Sequence, residues 1–350
     1  STLLELYDPE RIKEVSLLAG GQVNIADWNT FFQKVRKDFD ALRGDGDGLR
    51  ILTLPSSSPT LAAQMAEMRR IFPKMQWHQY EPINRDSAFD GALMAFGEPV
   101  DTAYRFDLAD VVLSLDSEFL TQLPGSVRYA KDFMNRRRAE ENGGSMNRLY
   151  AIESVPTVAG ANADHWLAMK ASEVLDFTAA LAERLGVAGA SGVKPKSVPD
   201  KWMQALVADL QAHAGRCIVV PGDQQPAEVH ALAHAINAKL GNVGQTVRYI
   251  EPILAPETRT GSLRSLVKDM SEDKVKILLV VGANPAYDAP KDLNFAAALA
   301  KVPLTIYLGL QHNETADLCA WRLPQSHFLE EWSDGRAFDG TASIVQPLVS

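Results

Sequence analysis

The sequence predicts an α/β protein of two Rossmann-like lobes, with mostly parallel sheets flanked by helices. Three observations predict it. Apolar runs of strand length recur along the 350 residues, helix-length segments separate them, and the second half repeats the order of the first. Strands that alternate with helical segments require crossover connections, and crossovers make neighbouring strands parallel. Two halves on one plan imply an approximate internal two-fold with a cleft between the lobes.

From Ile25 to Leu42, Trp28, Phe31, Phe32, Val35, Phe39 and Leu42 recur at helical spacing, while Lys34, Arg36, Lys37 and Asp38 take the other face. Gly44, Gly46 and Gly48 end this helix. Arg50–Leu54 reads as a short buried strand, Ser56–Thr60 as a turn with capping residues, and Leu61–Phe72 as a second amphipathic helix stopped by Pro73. Two more strands, Asp110–Leu115 and Arg148–Ile152, flank a helical stretch over Val127–Arg138, in which Arg136, Arg137 and Arg138 read as a solvated face. Ala163-Asp164 and a helix from Ser172 to Leu185 follow.

Gly186–Pro199 is rich in Gly, Ser, Lys and Pro and has no apolar period, the mark of a linker. The predicted domains are therefore 1–190, including the N-terminal helical segment, and 191–350. The second half runs strand Arg216–Pro221, helix Pro226–Leu240, strand Val275–Val281, helix Asn294–Ala300 and strand Val302–Leu308, then Ala316-Asp317. RCIVVPGDQQPAEVH echoes RILTLPSSSPTLAAQ, and VKILLVVGANP echoes ADVVLSLDSEF.

Composition removes several function classes. The balance of 46% hydrophobic and 23% charged residues belongs to a globular chain, not a disordered one. No run approaches the roughly 18 uncharged apolar residues of a membrane-spanning helix. A net charge of −9 supplies no positive field for phosphate backbones, so nucleic acid is not an expected partner. The two cysteines, Cys217 and Cys319, can pair with each other, but cannot provide the four thiolates of an iron–sulfur cluster or a structural zinc. The chain opens directly into polar sequence without a signal-like apolar core.

Ligands of parallel sheets lie beyond the carboxyl ends of the strands. That selects the loops Pro55–Thr60, Ser114–Phe119, Glu153–Gly160, Pro221–Pro226, Gly282–Pro290 and Gly309–Thr315. Gly282, Asn284 and Pro285 follow the most apolar strand: Gly282 permits a sharp turn or close backbone approach, and Asn284 offers a donor and an acceptor. The same residues suit a tight turn fixed by Pro285, with Asn284 holding its loop through side chain to backbone bonds. His312, Glu314, Thr315 and Asp317 form a polar cluster after the last strand, suited to binding and equally to helix capping. His230 and His234 stand four apart on one helix, but Ala231 takes the place of the glutamate of a zinc-protease motif, so a solvated or hydrogen-bonded helix pair is expected. No Ser/His/Asp order, Walker loop or G-x-G-x-x-G is present. Neither a catalytic residue nor a metal ligand set is predicted.

The second half resembles the molybdopterin oxidoreductase, or dimethyl sulfoxide reductase-like, superfamily. Val219-Val220-Pro221-Gly222-Asp223, Leu240-Gly241-Asn242-Val243-Gly244, Gly282-Ala283-Asn284-Pro285, Glu314-Thr315-Ala316-Asp317, Leu323-Pro324 and Leu329-Glu330-Glu331-Trp332 before Gly335-Arg336 come in the family's order. The first half is most similar to the molybdopterin-like part of bacterial alternative complex III, through Gly125–Phe133, Met146–Tyr150, Glu153-Ser154 and Ala163-Asp164-His165.

The resemblance implies a relation to enzymes that hold molybdenum or tungsten between two pterin guanine dinucleotides. It also marks departures. Ser114-Leu115-Asp116-Ser117 stands where a Gly- and Asn-containing loop is usual, Glu153-Ser154-Val155 where Asp-Pro-Arg is common, and Leu310-Gln311 where an acidic residue is frequent. The expectation is a cofactor-free domain, with Gly282, Asn284, Pro285, His312, Glu314 and Thr315 as vestigial cofactor-binding candidates. Its expected role is scaffold and docking part of a quinol-oxidising electron-transfer complex on the periplasmic side of the bacterial inner membrane, beside other subunits that include an iron–sulfur protein. The alternative is a fragment of an active molybdenum or tungsten oxidoreductase. The aromatics of Leu323–Leu348 suit a partner face, and equally a cover over the end of the second lobe.

Overall fold

Strands form where apolar runs can be buried on both faces, and the computed structural model, which describes residues 2–141, 143–254 and 261–349, contains fifteen among them. In chain order they are β1 (Val15–Ala19), β2 (Gln22–Ala26), β3 (Leu49–Thr53), β4 (Gln76–Gln79), β5 (Asp101–Tyr104), β6 (Val111–Leu115), β7 (Arg148–Glu153), β8 (His165–Ala168), β9 (Cys217–Pro221), β10 (Val247–Ile250), β11 (Ile277–Val281), β12 (Leu304–Gly309), β13 (Trp321–Pro324), β14 (Ser333–Arg336) and β15 (Ala342–Val345). The uncharged runs β6 and β9 are buried at every residue, as strands covered on both faces must be.

The chain divides into two units, and the division differs from the predicted boundary at residue 190. Unit 1 is Ser1–Asn84 with Leu254–Arg336 and Ala342–Ser350; unit 2 is Arg85–Ile253 with Ala337–Thr341. Gly186–Pro199 lies inside unit 2 rather than between domains. Val198 is buried there, and a Cβ on Gly192 would sit 2.5 Å from the backbone nitrogen of Ala180, so this glycine serves close packing on the helix Val174–Arg184.

Unit 1 holds a seven-stranded sheet in the order β2-β1-β13-β12-β11-β3-β4. From β13 to β4 all pairs are parallel, while the N-terminal hairpin β1–β2 adds two antiparallel strands at one edge. That hairpin takes Ile25 out of the predicted first helix, which runs Trp28–Leu42 with Asp27 accepting from Thr30 N–H at its start. The second helix runs Pro59–Ile71 behind a Ser58 cap, as the turn residues predict.

Unit 2 holds the parallel sheet β8-β7-β6-β9 and a separate antiparallel pair, β10-β5. The predicted repeat is present in strand order. In unit 1 the segment β13-β12-β11-β3 matches β8-β7-β6-β9 in unit 2, so the similar segments at β3 and β9 take equivalent places, as do those at β11 and β6. Each sheet, however, draws its fourth strand from the other half of the sequence.

The triple arginine is not simply a solvated face. Arg136 pairs with Asp110 at 2.6 Å and Arg137 with Asp164 at 2.8 Å, tying their helix to the strand region. Both cysteines are free and fully buried, Cys217 in unit 2 and Cys319 in unit 1, which answers the predicted option of a disulfide. No helix among the described residues is long and apolar enough to cross a membrane.

Candidate functional site

In each parallel sheet the chain leaves two adjacent strands in opposite directions at one point, and beyond that point a crevice opens at the carboxyl ends. In unit 1 the point lies between β3 and β11; in unit 2 it lies between β6 and β9. The two crevices are built very differently.

In unit 1 the predicted residues surround the end of β11. Gly282 takes φ +70, a left-handed conformation that favours glycine, and a Cβ placed on it would meet nothing closer than Leu54 at 3.8 Å and Gln325 at 3.9 Å. A Cβ there would make ordinary contacts, so the glycine is demanded by its φ and not by close packing. Asn284 and Pro285 begin the short helix Pro285–Asp288, but Asn284 makes no local capping bond. Its side chain instead crosses to the loop after β12, where Thr315 N–H and Thr315 Oγ1 donate to Asn284 Oδ1 at 3.1 and 2.8 Å, and Asn284 Nδ2 donates to Glu314 Oε2 at 2.8 Å. Ala286 N–H completes the link by donating to Thr315 Oγ1 at 3.0 Å. These bonds hold the Glu314 carboxyl below its ordinary range, the Asn284 bond being the main cause.

Asn284 is thus a latch between two strand-end loops, not a pin within its own. Glu314 and Thr315 open the helix Glu314–Leu318, which Asn313 caps through Ala316 N–H. His312 is exposed, and its N–H donates to the Glu10 carbonyl at 2.8 Å. The structure therefore brings Asn284, Glu314 and Thr315 together and gives His312 no bond to them.

In unit 2 the corresponding loops are knitted shut by carboxylates. Asp116, in the left-handed region at φ +54, accepts from Ser154 N–H at 3.0 Å and from Gln225 Nε2 at 2.9 Å, while Gln224 Nε2 donates to its carbonyl. The loops after β6, β7 and β9 thereby share one anchor. Glu118 accepts from Ala159 N–H at 3.0 Å, and Glu153 accepts from Thr157 and from Trp166 Nε1 at 3.1 Å. Asp116, Glu118 and Glu153 are 7%, 8% and 1% exposed, and none is ion-paired with a cationic side chain among the described residues. Gly222 shows how tightly the crevice is filled: a Cβ on it would lie 2.1 Å from the Asp116 carbonyl oxygen.

Asp116 and Gln225 were within reach of sequence reasoning only as members of suspected loops. Nothing local says that a glutamine after β9 bonds an aspartate after β6, because the two residues are 109 apart.

His230 and His234 are buried, their protonation pushed down to about 4 by loss of solvation, and His234 bonds the Tyr249 hydroxyl at 3.1 Å. They are a structural pair. Among the described residues no group of three or more His, Cys, Asp or Glu side chains is arranged to hold a metal ion.

No protein-family description matches the chain, and no curated protein matches it in sequence. Solved structures do match. Acetylene hydratase from Pelobacter acetylenicus superposes with a TM-score of 0.69 at 13% identity over 99% of this chain. The likeness establishes the fold. The formyltransferase/hydrolase complex from Methylorubrum extorquens, solved with methylofuran, superposes with a TM-score of 0.58 at 14% identity, covering 95% of this chain and 93% of the other. The chain spans 59% of the acetylene hydratase chain. The shared architecture is α/β with parallel and mixed sheets flanked by helices.

A pair of pterin guanine dinucleotides would need phosphate-accepting loops in both crevices. The residues of unit 2 do not fit one. A diphosphate would meet the acceptor-rich ends of three buried acids, and displacing Gln225 would take one of two close donors from the buried Asp116 carboxylate.

Proposed function

We propose that the chain is a cofactor-free, molybdopterin oxidoreductase-like domain that serves as scaffold and docking part of a membrane-associated, quinol-oxidising electron-transfer complex. The observation that carries this reading is the closed crevice of unit 2, where Asp116, Gln224 and Gln225 occupy the strand ends a second dinucleotide would need. In this reading the partners include an iron–sulfur protein, the site is the periplasmic face of the bacterial inner membrane, and no catalytic residue lies in the chain. Trp332 and Phe328, 70% and 47% exposed, supply the aromatic anchors such a partner would cover. The test is the metal content and visible spectrum of the protein isolated from its native membrane with its partners. Near-stoichiometric molybdenum or tungsten bound to this chain overturns the proposal.

The second reading is a fragment of an active molybdenum or tungsten oxidoreductase. The retained loop Gly282-Ala283-Asn284-Pro285 at the end of β11 favours it, since a Cβ on Gly282 would meet only ordinary contacts at 3.8 and 3.9 Å. Titration with GDP separates the two readings: micromolar binding lost in Asn284→Ala supports the fragment.

A further inference from the structure

We propose that Ser333–Arg336 is a releasable strap over the loop that follows β3, held shut by the carboxylate of Asp334. This rests on contacts within unit 1 and not on the scaffold reading. Asp334 accepts from the Ser58 hydroxyl, from Thr60 N–H at 3.0 Å and from Thr60 Oγ1 at 2.7 Å. Arg336 N–H donates to the Ser57 carbonyl at 3.0 Å, and a Cβ on Gly335 would come within 3.4 Å of the Ser57 hydroxyl oxygen. The strap therefore lies directly on Ser57 and Ser58.

The first turn of the helix Pro59–Ile71 explains the tether. Pro59 has no N–H to satisfy, Leu61 N–H donates to Ser58 Oγ at 3.1 Å, and Thr60 N–H is the remaining donor. Asp334 takes it from 274 residues away, and a negative charge at that helix end is favoured. β14 and β15 pair only with each other, and a lone two-stranded hairpin is marginal in water. Strand β14 thus depends on its anchors. Leu348 and Val349 N–H groups, both donating to the Leu329 carbonyl, hold the chain after β15. The tip is packed separately, with Phe338 edge-on to Tyr129 at 5.2 Å. Loosening at Asp334 would therefore free the strand itself and further expose the half-buried Ser56–Ser58 in the loop after β3.

The test is thiol labelling of Ser57→Cys in the full chain, alone and combined with Asp334→Ala. Cys217 and Cys319 are fully buried, so they remain silent and report any global unfolding. Loss of the tether is expected to speed labelling about tenfold, with the native cysteines still unreactive. Equal rates in the two backgrounds overturn the proposal. If Asp334→Ala exposes the native cysteines, Thr60→Val in the same assay decides instead. It removes one donor, and its labelling should be faster than with the intact tether; an unchanged rate there also overturns the strap.

Discussion

Asn284 and Asp116 show how a single polar side chain organises a strand end. Asn284 uses its amide on three partners in the loop after β12, so Asn284→Ala removes all three bonds and leaves the Thr315 hydroxyl without its acceptor. It should lower unfolding free energy by about 1–2 kcal/mol, read from chemical denaturation. In unit 2, Gly222 is confined by the Asp116 carbonyl oxygen 2.1 Å from where its Cβ would lie. The blocking atom is backbone in a strained residue and cannot swing aside. Gly222→Ala should therefore cost about 3 kcal/mol or prevent folding, whereas Gly282→Ala is opposed by its φ alone and should cost about 1 kcal/mol. Parallel melting curves of the two variants check the contrast between a sterically blocked glycine and one required only by its φ.

Among the elements, the helices Asp86–Phe96 and Ala227–Lys239 approach so closely that glycine is required at the contact. A Cβ on Gly91 would stand 2.3 Å from the His230 Cβ and 2.7 Å from the Ala227 carbonyl oxygen. Gly91→Ala should destabilise by about 2 kcal/mol, because overpacking forces two helices apart. Hydrogen exchange across residues 227–239 should rise with it, and unchanged protection would contradict the tight contact. The strands teach the complementary lesson. β3 and β9 lie in similar segments and are buried at every residue, but the sequence does not show that each pairs with a strand of the other half. Buried parallel strands offer nearly equivalent edges, so pairing is chosen by which helices can cover both faces at once.

At the scale of the molecule, buried histidines should make both units less stable in acid. His78 in unit 1 and His230 and His234 in unit 2 each have their protonation lowered to about 4, chiefly by burial, against an ordinary value of 6.5. Between those values the unfolded chain binds protons that the folded chain does not. The stability from keeping them neutral is complete above pH 6.5 and falls as pH drops toward 4. The loss should total several kcal/mol over that window, and urea denaturation at pH 7, 5.5 and 4.5 measures it. Midpoints that hold constant from pH 7 to 4.5 would contradict the burial of these rings.

The sequence did not mark the helices Asp86–Phe96, Asp200–Ala212 and Gly261–Ser271, but by itself it determined the fold class, most of the parallel strands, several of the helices between them, the repeat, and the loops that hold the candidate residues, including Gly282 and Asn284. These are legible because period, capping and glycine placement are local signals. The hairpins β1–β2 and β14–β15 were not legible, since their short and partly polar strands are stabilised by what they lie against. Only the tertiary structure decided that Gly186–Pro199 is packed inside a unit, that Asn284 reaches Thr315, that Gln225 closes on Asp116, and that Asp334 caps a helix near the other end of the chain. Each of these depends on residues brought together from distant sequence positions, and a hydrogen bond leaves no periodic trace by which its partner could be named.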